Sequence, residues 1–446
     1  MRKIILFILM AFILAACAAP TEEPPNWDDY NPFAAADQQA AIPLSSLLPP
    51  TRAAGEPIST PTPSLARFVP ASEQGPGFKI IPDSELVKGP AGLLLNMEIY
   101  LKSKNGYIKA YQEEVDGELL SGIEIVELVS QNYSVNPRLL LALIEYQSRW
   151  VTNPVVDEIS YPMRYYNEWN AGLYRQLTWT ANELNRGYYL WRANALTEWT
   201  FVDGDVVGIN PSINAGTAAL QHYFALLYSR DIWEHDITEN GFFATYQSLF
   251  GYPFDYAIEP IVPANLTQPQ LTLPFARGET WSYTGGPHGG WDVGSGWAAL
   301  DFAAPGEPTG CAPADAWVRA AAAGIVVRAN DGAVVVDLDG DGYEETGWTL
   351  LYMHMGSDGR VSAGSKINIG DRIGHPSCEG GLSNASHLHF ARRYNGEWIP
   401  ADGRLPFNLD GWVSSGTGSD YDGYLTRGDE IVEAWDGQNP LNQITR

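Results

Sequence analysis

The chain of 446 residues holds only three cysteines, Cys17, Cys311 and Cys378, and only seven histidines. It has no Cys-x-x-Cys pair, so a redox reading of the thioredoxin kind has no support. Basic residues are also scarce: 27 Lys and Arg against 53 Asp and Glu, a formal charge of −26. So acidic a chain, without a Lys/Arg cluster, argues against nucleic acid as a partner. There is no Gly-x-Ser-x-Gly elbow and no phosphate-binding Gly-Lys loop, which removes the serine-hydrolase and nucleotide readings. A His-Glu-x-x-His motif is missing as well, so any metal chemistry must do without that Glu base. The apolar run from Ile4 to Ala16 is too short to span a bilayer comfortably.

At this length two folded domains with additional segments are expected. The apolar run follows a short basic start, Met1-Arg2-Lys3, and closes on Leu14-Ala15-Ala16-Cys17, the order of a signal-peptide core over residues 1–17. Leu-Ala-Ala-Cys resembles a bacterial lipobox. That resemblance implies cleavage before Cys17, lipidation of Cys17, and an extracytoplasmic protein anchored to the cell membrane and facing the cell wall. Residues 18–88 are rich in Pro, Ala, Ser and Glu, as in Pro24-Pro25 and Pro61-Thr62-Pro63, which predicts a disordered tether.

Residues 89–262 carry helical patterning. Asn136-Pro137 makes a helix start, and Leu139, Leu140, Leu143 and Ile144 follow at helical spacing. Further helices are expected at Ser121 to Val129, Gly172 to Leu190, Ile213 to Tyr228 and Gly241 to Phe250, giving an all-α domain. From residue 263 the texture changes to short β-runs punctuated by Gly, such as Ala333 to Leu338, Thr349 to His354 and His387 to Arg392. They predict an all-β antiparallel sandwich or open barrel over residues 263–446, with its core at about 271–400. Beyond about Leu405 the Gly- and Asp-rich sequence reads as irregular.

Five of the seven histidines fall in this β-region, and four of them, His288, His354, His387 and His389, form a candidate set with Asp301. His387-Leu388-His389 on a strand places both imidazoles on one face, because side chains alternate with period 2. Asp301 and a histidine upstream would complete a three-ligand shell with a fourth position open for water, the layout of a hydrolytic zinc site.

The motifs Asp301-Phe302-Ala303-Ala304-Pro305-Gly306, Tyr352-Met353-His354-Met355, the run from Gly364 to Gly374, and His387-Leu388-His389-Phe390 occur in one order. Together they resemble the LytM/lysostaphin-type zinc peptidases that cut peptidoglycan peptides. The resemblance implies zinc held by His288, Asp301 and His389, with His354 and His387 as the catalytic pair beside it, and peptidoglycan as partner. Two carboxylates compete for the ligand role. Asp292 stands four positions after His288, the common family spacing, whereas Asp301 stands thirteen after it in the sequence context that normally follows the ligand. The longer spacing resembles the beta-lytic and staphylolysin branch, whose members favour bonds next to glycine, and it assigns Asp301. A metal-binding but inactive regulator of other wall hydrolases is the alternative.

With Cys17 given to lipid, Cys311 and Cys378 form an even pair that suggests a disulfide, against a cysteine metal ligand or two free thiols. It would close a loop of 67 residues, stabilising by about 4 kcal/mol in the chain-entropy model. Asp337, Asp339 and Asp341 match the first half of a calcium loop, but Trp348 stands where the closing Glu belongs, so a solvated hairpin tip is expected. Val135 to Ile144 with Gln147-Ser148 faintly resembles the lysozyme-like lytic transglycosylases. In that family a catalytic Glu precedes the Ser. An amide at Gln147 cannot protonate a glycosidic oxygen, so the expectation is a spacer or glycan-positioning module, with Glu145 pointing elsewhere on the helix. His222 and His235 read as packing or surface residues, and His375 as a turn residue near Cys378.

Overall fold

The structure is a computed structural model that describes residues 75–306 and 310–446. The expected signal segment with Cys17, and the tether up to residue 74, lie outside the described residues.

The first half of the described chain is helical. Its helices are α1 (Met97–Lys102), α2 (Gly122–Tyr133), α3 (Pro137–Ser148), α4 (Leu173–Arg192), α5 (Ala215–Leu227), α6 (Arg230–Asp236) and α7 (Phe242–Phe250). Local chemistry starts them. Ser121 and Glu124 form a reciprocal capping box on α2, and the Asn136 side chain accepts from Arg138 N while Pro137 fills the first turn of α3. Two hairpins interrupt the helices: β1 (Gln112–Val115) with β2 (Glu118–Ser121), and β3 (Glu198–Thr200) with β4 (Val206–Gly208). The region is therefore mostly helical rather than all-α. These strands are three or four residues long with at most one buried residue each, so they leave little alternation to read.

Residues 75–88 were expected in the tether and are instead folded. Ile80, Ile81, Leu86 and Val87 are buried in the helical core, and Glu85 pairs there with Arg138 and accepts from the Tyr246 hydroxyl. Four apolar side chains within eight residues offset the ordering entropy that the Pro-rich composition suggested could not be met.

The second half is antiparallel β throughout its named strand pairs. Its strands are β5 (Thr280–His288), β6 (Ala299–Ala303), β7 (Val318–Arg319), β8 (Gly324–Asn330), β9 (Ala333–Asp337), β10 (Trp348–Met353), β11 (Lys366–Ile367), β12 (Arg372–Gly374), β13 (Leu388–Tyr394) and β14 (Glu397–Trp398). The last five are β15 (Asn408–Leu409), β16 (Trp412–Gly416), β17 (Gly423–Arg427), β18 (Glu430–Glu433) and β19 (Gln443–Thr445). The main sheet runs β11-β8-β9-β10-β13-β6-β5-β19, with β14 beside β13. The segment expected to be irregular beyond Leu405 forms a four-stranded sheet, β15 to β18, and β19 closes the edge of the main sheet. Its short strands are broken by turns with positive φ at Asp410, Gly411, Gly418, Tyr421 and Gly428, which masked the period-2 signal.

Both faces of the main sheet are covered, so its strands carry continuous apolar runs. Ala299, Val335, Leu351, Met353 and Ala391 pack into the core that contains the helices, together with Trp291 and Trp398. Their neighbours Leu300, Phe302, Val334, Val336, Leu350, Tyr352 and Phe390 pack into a second core on the opposite face. By the same alternation Asp301 and His389 stand on the face that meets the helical region. Polar contacts stitch that seam. Asn182 Oδ1 accepts from Gly294 N at 2.7 Å, the Tyr188 hydroxyl donates to Glu397 at 3.1 Å, and Arg328 donates to Asn132 at 2.6 Å.

Candidate metal centre

Three neighbouring strands bring the centre together. In the β6–β13 ladder Asp301 sits directly opposite His389, and β5 ends beside them at His288 after two register shifts. The shifts turn the end of β5 so that His288 reaches the Asp301 carboxylate. His288 Nε2 and His389 Nδ1 are 2.9 Å apart, and each is 3.2 Å from Asp301 Oδ1. A tetrahedral zinc with ligands at about 2.0–2.1 Å sets its ligand atoms about 3.3 Å apart, and this triangle has nearly that edge.

Proton bookkeeping shows that these atoms fit a cation. His288 Nδ1 donates to Gly286 O at 2.7 Å, and His389 Nε2 donates to Gly290 O at 3.0 Å. A carbonyl can only accept, so each neutral ring has committed its one proton and turns a lone pair inward. Asp301 Oδ1 is buried there without a hydrogen-bond donor. Three electron pairs converging in a dry site are stable only around positive charge. With no cation, a proton must supply it. Burial pushes the His288 pKa down, yet Asp301 outweighs burial and the net shift is upward. Burial likewise opposes ionisation of Asp301, but His288 and then His387 hold its carboxyl well below the usual range.

The other two predicted histidines stand alongside. His387 Nε2 is 3.7 Å from Asp301 Oδ2, while its Nδ1 donates to Ala385 O at 2.8 Å. His354 follows β10 in a left-handed conformation, φ 64°, that costs a non-Gly residue about 1 kcal/mol. Its ring centroid lies 4.6 Å from that of His387, and its Nδ1 is 3.2 Å from Glu379 O. Burial, then the charges of His387 and His389, pushes the His354 pKa down to about 3, so this ring stays neutral.

Asp292 lies outside the cluster, exposed, and accepts from the Tyr133 hydroxyl of α2 at 2.9 Å. Cys311 and Cys378 are disulfide-bonded with Cα atoms 5.1 Å apart. The bond ties the segment after β6 to the loop that leads into His387. Asp337 is fully buried and accepts from the backbone N–H groups of Asp339, Gly340 and Gly342, so it braces the hairpin tip. Gln147 is buried with both amide ends bonded, Nε2 donating to the Tyr223 hydroxyl and Oε1 accepting from that of Tyr228. Glu145 instead accepts from Val151 N and Thr152 N beyond the end of α3. His222 bonds Glu183, and His375 packs on Trp317.

Sequence reading missed two features of the centre. Tyr421, from the segment read as irregular, stacks on His288 with ring centroids 4.1 Å apart. Gly285 leaves the room Asp301 occupies, because a Cβ there would stand 2.7 Å from Asp301 Oδ2. The Gly-rich stretch Gly285-Gly286-Pro287-His288 was the available signal for the second.

A buried two-histidine, one-carboxylate cluster on an antiparallel sheet, with two further histidines beside it, could hold a metal ion and matches the donor set of metal-dependent hydrolases. Comparison with known proteins specifies which kind. Residues 298–400 match the model of peptidase family M23, and residues 79–263 match that of the LasA N-terminal domain. The protease LasA of Pseudomonas aeruginosa is 28% identical over 334 residues, covering 70% of this chain and 76% of that protein. The beta-lytic metalloendopeptidase of Lysobacter enzymogenes is 29% identical over 161 residues, covering 35% of this chain and 85% of that one. A solved structure titled as the novel M23 metalloprotease pseudoalterin from the deep sea is 25% identical, with a TM-score of 0.31, over 41% of this chain and all of that one. Residues 298–400 therefore carry an M23-type peptidase domain, and at this coarse level the protein is a metallopeptidase.

Proposed function

We propose that this protein is a zinc-dependent endopeptidase that hydrolyses peptide bonds of peptidoglycan, including bonds next to glycine. One observation carries the reading: the lone pairs of His288 and His389 converge with the donor-less Asp301 oxygen in a triangle of zinc dimensions. Bound zinc supplies an acidified water and polarises the scissile carbonyl. The chain's own groups supply the rest. His387 keeps its proton on the Ala385 carbonyl and so presents Nε2 as an acceptor at the carboxylate's second oxygen. His354 offers a second imidazole with its ring centroid 4.6 Å away, so between them the two rings can take one proton and return it to the leaving amine. The three ligands are all more than nine-tenths buried, so a substrate backbone must come close, which favours residues without side chains.

The lipobox-like Leu14-Ala15-Ala16-Cys17 supports an anchor on the outer membrane face, tested by incorporation of labelled fatty acid that Cys17→Ser abolishes. The helical region is proposed as a lysozyme-like module without glycosidase chemistry, in keeping with the fully bonded Gln147.

The test is elemental analysis of the purified protein combined with mass spectrometry of wall fragments after digestion. Zinc at about one per chain and new amine termini in the stem or bridge peptides are expected. Zinc without new termini would assign the inactive regulator instead, and absence of zinc would end both readings.

A further inference from the structure

The strongest feature outside the metal centre lies in the helical region. Between α3 and α4 the chain runs through residues 149–172 without an α-helix or strand, yet it is held firmly. The fully buried Gln176 side chain staples it: Oε1 accepts from Met163 N at 3.2 Å and Tyr165 N at 3.4 Å, and Nε2 donates to Tyr165 O at 2.8 Å and Asn170 O at 2.7 Å. Arg175 donates to Trp169 O at 2.7 Å, and the Asn167 side chain accepts from Trp169 N at 3.0 Å.

What this ordered segment displays is aromatic. Tyr166 is 65% exposed and Trp169 53% exposed. Tyr161 lies against Tyr166 with ring centroids 5.4 Å apart, and Tyr165 is stacked behind on Trp179 at 3.9 Å. Hydrogen-bonding groups flank the rings. Arg164 donates to the Tyr166 hydroxyl at 3.1 Å and to Gln147 O at 2.9 Å, and its other nitrogen lies 3.7 Å from Asp157. Large aromatic faces left in water and fixed in advance are costly unless a ligand covers them.

We infer that this shelf binds a glycan made of N-acetylated hexosamines, with Trp169 and Tyr166 as stacking platforms and Arg164 as a polar contact. Three observations select that occupant. Flat rings beside amide and guanidinium groups match the apolar ring faces and polar rims of a sugar. Arg164 is offset locally by Asp157 at 3.7 Å, so the shelf suits an uncharged polymer, whereas a chain of charge −26 repels an anionic one. Finally, α4 begins at the shelf and reaches the metallopeptidase loop at Asn182, nine residues and roughly 14 Å further on. One polymer carrying both sugars and peptides would span the two. The inference rests on the peptidoglycan reading for its substrate but not for its test.

The test measures binding of the full chain to tetra-N-acetylchitotetraose, and its retention on glycan strands stripped of peptide. The wild type is expected to bind both. Trp169→Ala and Tyr166→Ala should each weaken binding roughly tenfold, about the loss of one stacked ring, while Tyr166→Phe keeps most of it. Hydrolysis of a short sugar-free peptide should not change in any of them. Failure of the wild type to bind, or unchanged binding by Trp169→Ala, overturns the inference. So does a shelf substitution that abolishes self-association in ultracentrifugation without affecting glycan, which would make the patch an interface between copies. Glycan binding that depends on Trp169 in a protein that cuts no peptide would keep this inference and sink the peptidase reading.

Discussion

The β-region and the helical region each bury a polar cluster, and the two are satisfied differently. Around Gln147 the account closes within the protein: both ends of the amide meet a tyrosine hydroxyl. Around Asp301 it does not close, since both neighbouring imidazoles have given their protons to Gly286 O and Gly290 O. A polar cluster that is complete in itself is structure. One that is left short of positive charge, with its atoms held in place by strand register, is what the proposed metal site calls for.

The largest expected effect breaks the open cluster. Asp301→Asn should reduce bound zinc from about one per chain to almost none, and hydrolysis by roughly 10³-fold or more. Asp292→Asn should leave zinc content unchanged. If zinc follows Asp292 instead, the ligand assignment fails. Removing the metal sharpens the same contrast. With free zinc at about a thousand times its Kd, binding stabilises the fold by about 4 kcal/mol, so a chelator should lower the calorimetric Tm. An unchanged Tm would mean that the Asp301 cluster is satisfied without a cation.

A third test concerns the seam between the regions. Burial pushes the Glu397 carboxyl up to about 7, against the partial opposition of Arg192 and Tyr188. Between its unfolded value of 4.5 and about 7 the folded state holds the extra proton, so stability should fall as pH rises through that window. The full difference is at most about 3 kcal/mol. Glu397→Gln should flatten the slope in denaturant unfolding at several pH values, and an unaltered slope would exclude Glu397 as its source. Gln147→Glu offers the converse test of the closed cluster. A carboxylate buried between Tyr223 and Tyr228 should cost about 1–3 kcal/mol and release no anhydro-sugar products. Appearance of such products would erase the distinction. The smallest effect is expected from the stability of Asp292→Asn, about 0.5–1 kcal/mol through the Tyr133 hydroxyl.

Legibility followed local signal. Asn136-Pro137 announced α3 and Ser121 opened α2, because capping chemistry is written in adjacent residues. The strands β9 and β10 were readable as apolar runs, though not which face of each met the helices, since both faces are buried. The hairpins at 112–121 and 198–208 escaped notice because strands so short have almost no period. The fold of residues 405–446 escaped because its strands are two to five residues long and are separated by tight turns.

Residue type and order determined that this chain carries two histidines and an aspartate of the kind that suits a borderline dication such as zinc, with two further imidazoles in the same region. The sequence context pointed to Asp301 over Asp292 without a geometric reason; the tertiary structure gives one, because the β6–β13 ladder sets Asp301 opposite His389 while Asp292 faces Tyr133. Nor does the sequence say which ring nitrogen is free. That depends on the carbonyls of Gly286 and Gly290, groups every residue possesses and only the folded backbone aims.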